Sequence, residues 1–74
     1  MGASAREMVR YTDASGRVMA RIIQSVRLDG GVMKPAYIAE MADGSVQRER
    51  FKCAQNVIEA WAHERGLRLS GKMI

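Results

Sequence analysis

Five arginines stand at spacings that could build one binding surface. Arg17, Arg21 and Arg27 lie four and six positions apart along one segment, and Arg48 and Arg50 lie two positions apart on a later one. A guanidinium group presents its donors in a planar fork, so it binds phosphate and carboxylate groups better than lysine does. The formal net charge of +4 agrees with an anionic partner. We therefore take these five arginines as candidate nucleic-acid-binding residues.

The single cysteine and single histidine, Cys53 and His63, are the residue types of a nucleophilic dyad. Both fall in a segment with helical spacing, and ten helical residues rise about 15 Å, so the two side chains cannot share a hydrogen bond. One of each also falls short of the four ligands of a zinc site. The sequence predicts no catalytic pair, no metal and no cofactor, and we expect a protein that is not an enzyme and takes no small-molecule substrate.

The segment from Gly66 to Lys72 has the glycine and lysine spacing of a phosphate-binding P-loop. A P-loop follows a strand and opens a helix, whereas this segment follows a predicted helix near the end of the chain. Met73 stands where a P-loop has Ser or Thr. Gly66 is therefore interpreted as a helix cap.

The arginines need a sheet to position them, and the residues from Arg17 to Leu28 alternate as a strand does. Successive strand residues point to opposite faces, so the odd positions carry the three arginines on one face. The even positions are apolar except for Gln24, and they predict the core. We expect the following side chains to pack against Val57, Ile58 and Trp61 of a helix: Val18, Ala20, Ile22, Val26 and Leu28.

Turn signals divide the chain into hairpins. Asp29-Gly30-Gly31 provides residues that tolerate positive φ, and the chain then returns as a second strand from Val32 to Met41. Pro35 leaves two alternatives: the strand begins at Ala36, or the nitrogen of Pro35 faces outward at a sheet edge.

A second turn at Ala42–Ser45 precedes a third strand from Val46 to Phe51, and Glu7–Thr12 is a candidate short strand at the start. From Cys53 the apolar residues recur every three or four positions, which predicts an amphipathic helix that ends near Arg65.

These elements predict an α+β fold, an antiparallel meander of three or four strands with one C-terminal helix on its apolar face. The 74 residues suffice for a single domain, with a core from about residue 7 to residue 69 and frayed termini.

Composition excludes several classes of protein. The hydrophobic share of 47% and the charged share of 27% are those of a globular chain and not of a disordered one. One cysteine cannot form an internal disulfide, which excludes the disulfide-stapled secreted miniproteins. No apolar run approaches a membrane span of about 20 residues, and the first residues lack a signal-peptide core. We expect a cytoplasmic protein with no membrane contact.

Met19 and Ile23 lie between the arginines on the polar face, where an apolar strip indicates contact with a partner. The leading interpretation is a small non-enzymatic binding module that contacts nucleic acid through an arginine-bearing sheet face. The alternative is a protein-interaction module, either a homodimer through Met19 and Ile23 or an inhibitor that docks on an acidic protein. The predicted outline resembles, by fold and not by a motif, small sheet-reading DNA-binding modules such as integrase arm domains and AP2-like domains. A fold analogy of this kind assigns neither a family nor a function. For the leading interpretation, the binding module, we expect a mobile-element or regulatory accessory protein.

Overall fold

The computed structural model describes residues 5–74 as one antiparallel sheet with a helix on one face. The predicted α+β class and the meander of consecutive strands are confirmed, and a fifth strand extends the sheet. The order of the strands across the sheet is β4-β3-β2-β1-β5. The elements are β1 (Arg6–Thr12), β2 (Val18–Asp29), β3 (Val32–Met41), β4 (Val46–Glu49), α1 (Phe51–Glu64) and β5 (Ser70–Met73).

The turn between β2 and β3 sets the register of the longest hairpin. Gly30 and Gly31 have positive φ, 58° and 80°. Two successive residues with positive φ form the tight turn that matches the twist of a hairpin. Residues with a Cβ rarely adopt positive φ. The pairs that follow the turn are Asp29 with Val32, Leu28 with Met33, Arg27 with Lys34, and Val26 with Pro35.

Pro35 therefore lies inside β3. β4 pairs with β3 only from Tyr37 onward, so β3 is an edge strand at Pro35 within the part of the chain that the structure describes. An edge is where a strand tolerates a residue without an N–H. Of the two expectations for Pro35, the edge position is the one that the structure shows.

The core lies between α1 and the middle of the sheet. Ile22 on β2 and Ile58 on α1 are fully buried, whereas Arg21 is exposed, as the alternation predicts. Alanines on both elements allow the helix to approach the sheet closely. The other buried residues of the core are Val9, Tyr11, Ala20, Ala39, Met41, Ala54, Trp61 and Ala62.

The prediction that Val18, Val26 and Leu28 belong to the core is wrong. Their exposed fractions are 45%, 38% and 70%. The 14 residues of α1 span about 21 Å, whereas the 12 residues of β2 span about 40 Å. The helix therefore covers only the middle of the strand, and Val57 is half-buried beside the core.

The C-terminal residues, expected to fray, form the strand β5. It pairs with β1, where Gly71 lies opposite Tyr11. A Cβ on Gly71 would come within 2.8 Å of the Tyr11 ring. The ring therefore packs directly on the backbone of β5, and only glycine permits this close approach.

The helix begins at Phe51, so the strand predicted to reach Phe51 stops at Glu49. The Phe51 ring meets the Tyr37 ring edge-on, with centroids 5.2 Å apart, which places Phe51 in the contact between helix and sheet. At the other end Gly66, with φ of 66°, ends the helix as predicted. The Leu67 N–H donates to the Ala62 carbonyl at 2.9 Å, the bond expected when glycine ends a helix in this way.

Asp43, in the turn before β4, connects the sheet to the C-terminal end of α1. Its carboxylate accepts hydrogen bonds from Trp61 Nε1 at 3.1 Å and from Arg65 at 3.2 Å. Arg65 also stacks over the Trp61 ring, 4.5 Å from its centroid. Hydrogen bonds from the Ser45 side chain and backbone, then from Trp61, lower the pKa of Asp43 from 3.8 to about 2, with Arg65 adding to the effect.

Replacing Trp61 should show how much the core depends on this side chain. Trp61→Ala leaves a cavity between α1 and the sheet, and we expect a loss of about 3 to 5 kcal/mol in the free energy of unfolding. Trp61→Phe retains most of the packing and should lose less. Urea denaturation of both variants is followed by circular dichroism. Tryptophan fluorescence cannot report their unfolding, because Trp61 is the only tryptophan and both variants lack it. An Ala variant as stable as the wild type would contradict this account of the core.

The lowered pKa of Asp43 predicts that the fold loses stability as the pH falls into the acid range. A pKa lowered on folding means that the carboxylate stabilises the folded state fully above pH 3.8, and that this contribution is lost as the pH falls toward about 2. Asp43→Asn should therefore lower the urea midpoint at neutral pH and flatten its fall over this window. The idea fails if both proteins lose stability with the same pH profile.

Candidate nucleic-acid interface

The β2–β3 hairpin extends beyond the rest of the sheet. β1 pairs with β2 no further than Gln24, and β4 begins to pair with β3 at Tyr37. Residues 25–36 thus form a two-stranded ribbon with no neighbouring strand among residues 5–74, and we call it the arm. The molecule is accordingly elongated, 42 Å in its longest dimension against 21 and 19 Å in the others.

The two faces of the arm differ in chemistry. On the side where α1 packs further along the sheet, the arm presents Val26, Leu28, Met33 and Pro35, all exposed. Because strand residues alternate, the opposite face carries Arg27 and Lys34, which lie directly across from each other. The arm is therefore an amphipathic ribbon whose apolar face is not covered by the described residues.

Three of the predicted arginines line one groove at the base of the arm. The groove of about 630 Å³ lies where β4 ends and the edge of β3 opens, and it contains Arg27, Arg48 and Arg50 with Glu49 and Pro35. We call it the arginine groove. β4 turns Arg48 to the face opposite the helix, where it pairs across from Ile38. Arg50 precedes the first residue of α1 in an extended conformation.

The charges of the arginine groove are only partly compensated. Within residues 5–74, Arg48 and Arg50 form no ion pair, whereas Glu49 lines the same groove. Arg27 approaches Asp29 at 3.7 Å, and Lys34 approaches it at 3.4 Å. These exposed contacts are weak, because water and salt screen them and long side chains lose entropy in forming them. The arginine groove can therefore accept an anion without first breaking a strong pair.

The other two predicted arginines lie apart from the arginine groove. Arg21 points away from the helix, as expected, but its guanidinium donates to Glu40 of the neighbouring strand at 2.8 Å. Arg17 lies in the turn before β2. Arg27 is ten positions further along the chain, which corresponds to about 33 Å of strand. The structure thus brings together three of the five candidate residues and does not form one grid from all five.

Met19 and Ile23 are half-buried, so the apolar strip predicted between the arginines is small. Ile23 lies between Ile38 on β3 and Glu7 on β1, which cover part of it. Met19 packs against the edge of the core. The larger exposed apolar surface is on the arm.

Sequence reasoning missed Lys34 and Lys72. The register of the turn contained the signal for Lys34, because counting outward from Gly30 and Gly31 places it opposite Arg27. Lys72 lies on β5, a strand that was not predicted, and it pairs with Arg10 of β1. Arg10 is itself held by Glu7 at 2.8 Å, and this contact lowers the pKa of Glu7.

A second groove, of about 540 Å³, lies between α1 and the β1–β5 edge. Its lining includes apolar side chains of both elements, the largely buried Tyr11, and Glu59 and His63 of the helix. Burial raises the pKa of Tyr11, and the charge of Glu59 adds to this shift. No concentration of like charge marks this groove, so it offers less for an anionic partner than the arginine groove.

Cys53 and His63 are both exposed and occupy opposite ends of α1. Among residues 5–74, no three side chains of the His, Cys, Asp and Glu types gather closely enough to hold a metal ion. The described part of the chain contains no helix with the length and apolar character needed to cross a membrane.

Comparisons with protein-family models, curated proteins and solved structures found no match. Proposals about function therefore depend on the residues and geometry of this chain alone.

Proposed function

We propose that this protein is a small non-enzymatic module that binds nucleic acid through the arginine groove and the arm beside it. The observation that carries the proposal is the convergence of Arg27, Arg48 and Arg50 on one groove, two of them without an ion pair among residues 5–74. A phosphate in the groove would take up the donors that Arg48 and Arg50 now present to water.

The chemistry of the groove suits the phosphate backbone of a nucleic acid. Arginine binds phosphate in a bidentate way, and a nucleic acid supplies phosphates at regular intervals along its length. Lys34 extends the positive surface from the groove along the outer face of the arm, opposite Arg27. Each phosphate contact releases condensed cations, so the affinity falls as salt is added.

An acidic protein is the alternative partner, because carboxylates also bind arginine in a bidentate way. The exposed apolar face of the arm favours this alternative, since protein interfaces have apolar centres. In both cases the protein acts by binding. The exposed thiol of Cys53 favours a reducing compartment, and we propose the cytoplasm.

Removing two arginines of the groove tests the proposal. We expect Arg48→Gln with Arg50→Gln to weaken binding to a mixed-sequence DNA duplex on the order of tenfold at low salt, and to reduce the slope of log affinity against log salt by about two units. Fluorescence anisotropy at several salt concentrations measures both quantities.

The matched control is Arg17→Gln with Arg68→Gln, which removes the same charge away from the groove. It should change the affinity less than threefold. The proposal is abandoned if the wild type binds neither duplex nor single-stranded DNA at low salt, or if the two double variants lose affinity equally.

Asp29→Asn should have the opposite effect. Asp29 contacts both Arg27 and Lys34, and it would repel a nearby phosphate. Its removal should tighten duplex binding several-fold and steepen the salt slope. Glu64→Gln, which neutralises an exposed acid on α1, is the control and should change affinity little. Equal gains from both variants would mean that net charge alone governs binding.

A further inference from the structure

We infer that the tip of the arm enters the minor groove of duplex DNA and inserts Leu28 and Met33 between base pairs, so that the protein bends the duplex. This inference depends on the proposed function, because the arginine groove must first hold the phosphate backbone. It adds the kind of nucleic acid and the consequence of binding.

The two large apolar side chains nearest the turn, which form the tip of the arm, are paired across the ribbon and exposed. Leu28 and Met33 lie directly opposite each other, two residues from the turn, with exposed fractions of 70% and 60%. They stand side by side on one face of a narrow ribbon. Exposed leucine and methionine cost solvation energy in water, and side chains of this type unstack base steps when proteins kink DNA.

The arm is long enough for this role. From Ser25 to Gly30 the strand takes five steps and extends about 17 Å, twice the depth of either groove of B-form DNA, which is roughly 7.5 to 8.5 Å. When a phosphate occupies the arginine groove at the base of the arm, the tip can therefore reach the base pairs.

The chemistry of the face favours insertion over reading of base edges. Base edges are read by hydrogen-bond donors and acceptors, and Val26, Leu28, Met33 and Pro35 have none on their side chains. Arg27 and Lys34 lie on the other face of the ribbon, where they can contact the phosphates that flank the inserted side chains. They also offset the charge of Asp29, the one acid at the tip.

A second copy of the chain fits the apolar face less well. At the observed exposures, the four apolar side chains offer on the order of 400 Å² per chain, about half of the ~800 Å² that each partner buries in a stable dimer. Two copies would also each bring a net charge of +4. DNA has the charge that complements the base of the arm.

The experiment uses a 30-base-pair DNA duplex labelled at its two ends for energy transfer, and the full chain. The wild type should shorten the distance between the ends, as a bend of about 20 to 90° does. It should also bind a duplex with a central two-base mismatch at least fivefold more tightly than the intact duplex, because the mismatch lowers the cost of bending.

The test variant is Leu28→Ser with Met33→Ser, and Leu28→Ser alone serves as a second variant. These residues are exposed, so the fold should persist. Both the bend and the preference for the mismatch should disappear in the double variant, while the salt slope stays within one unit of the wild-type value. Met73→Ser with Ile74→Ser is the control, because these residues are exposed by 62% and 68% and lie at the β5 edge of the sheet, outside the arm. It should bend DNA as the wild type does.

The outcomes separate the two proposals. If the wild type binds neither duplex nor single-stranded DNA at low salt, the proposed function fails and the insertion with it. If it binds single strands but no duplex, the insertion is wrong and the arginine groove stands. If the wild type binds but does not bend DNA, or if the tip variant bends it equally, the insertion is wrong and the arginine groove stands. If light scattering without DNA shows a dimer that the tip variant converts to a monomer, a second copy occupies the arm and the inference is overturned.

Discussion

The short length of α1 relative to β2 accounts for three features of this protein: the extent of the core, the exposed arm and the position of the arginine groove. Fourteen helical residues cover about half the length that twelve strand residues span. The covered middle of β2 contributes to the core around Ile22 and Ile58, and the uncovered end of β2 beyond it forms one strand of the arm. Since the sheet keeps its alternation past the end of the helix, the arm inherits an apolar face that the helix cannot reach.

The position of the arginine groove follows from the same mismatch. β4 must end at Glu49 so that Phe51 can begin the helix and pack on Tyr37. The early end of β4 uncovers the edge of β3 beside Pro35, and Arg48 and Arg50 stand at that opening. Asp43 fixes the opposite end of α1 through Trp61 and Arg65, so the helix is held in place at both ends. The groove is thus built on regular elements and not on a loose loop.

Much of this fold could be predicted from local patterns. The alternation of β2, the two glycines of the hairpin turn and the helical spacing after Cys53 each identify one element without reference to the others. β5 could not be predicted in this way, because four residues are too short for a pattern and their partner β1 lies far away in the sequence. The exposure of Leu28 also depends on a comparison of two element lengths, which neither element reveals alone.

The candidate site was predictable in part for a related reason. Alternation placed Arg21, Arg27 and Arg48 on the polar face, but the pairing of Arg21 with Glu40 follows from the register, and the register follows from the turn. The convergence of Arg27 with Arg48 and Arg50 needs the sheet order and the end of β4 as well. Long-range pairing of strands therefore decides which arginines share a groove.

Nuclear magnetic resonance with a ¹⁵N-labelled chain and an unlabelled duplex tests the central claim most directly, because it locates the contact residue by residue. The account predicts that chemical shifts change in the arm and around Arg48 and Arg50, while the exposed face of α1 and the groove beside β5 remain unaffected. Shift changes confined to α1 or to the groove at Tyr11, with none in the arm, would contradict it.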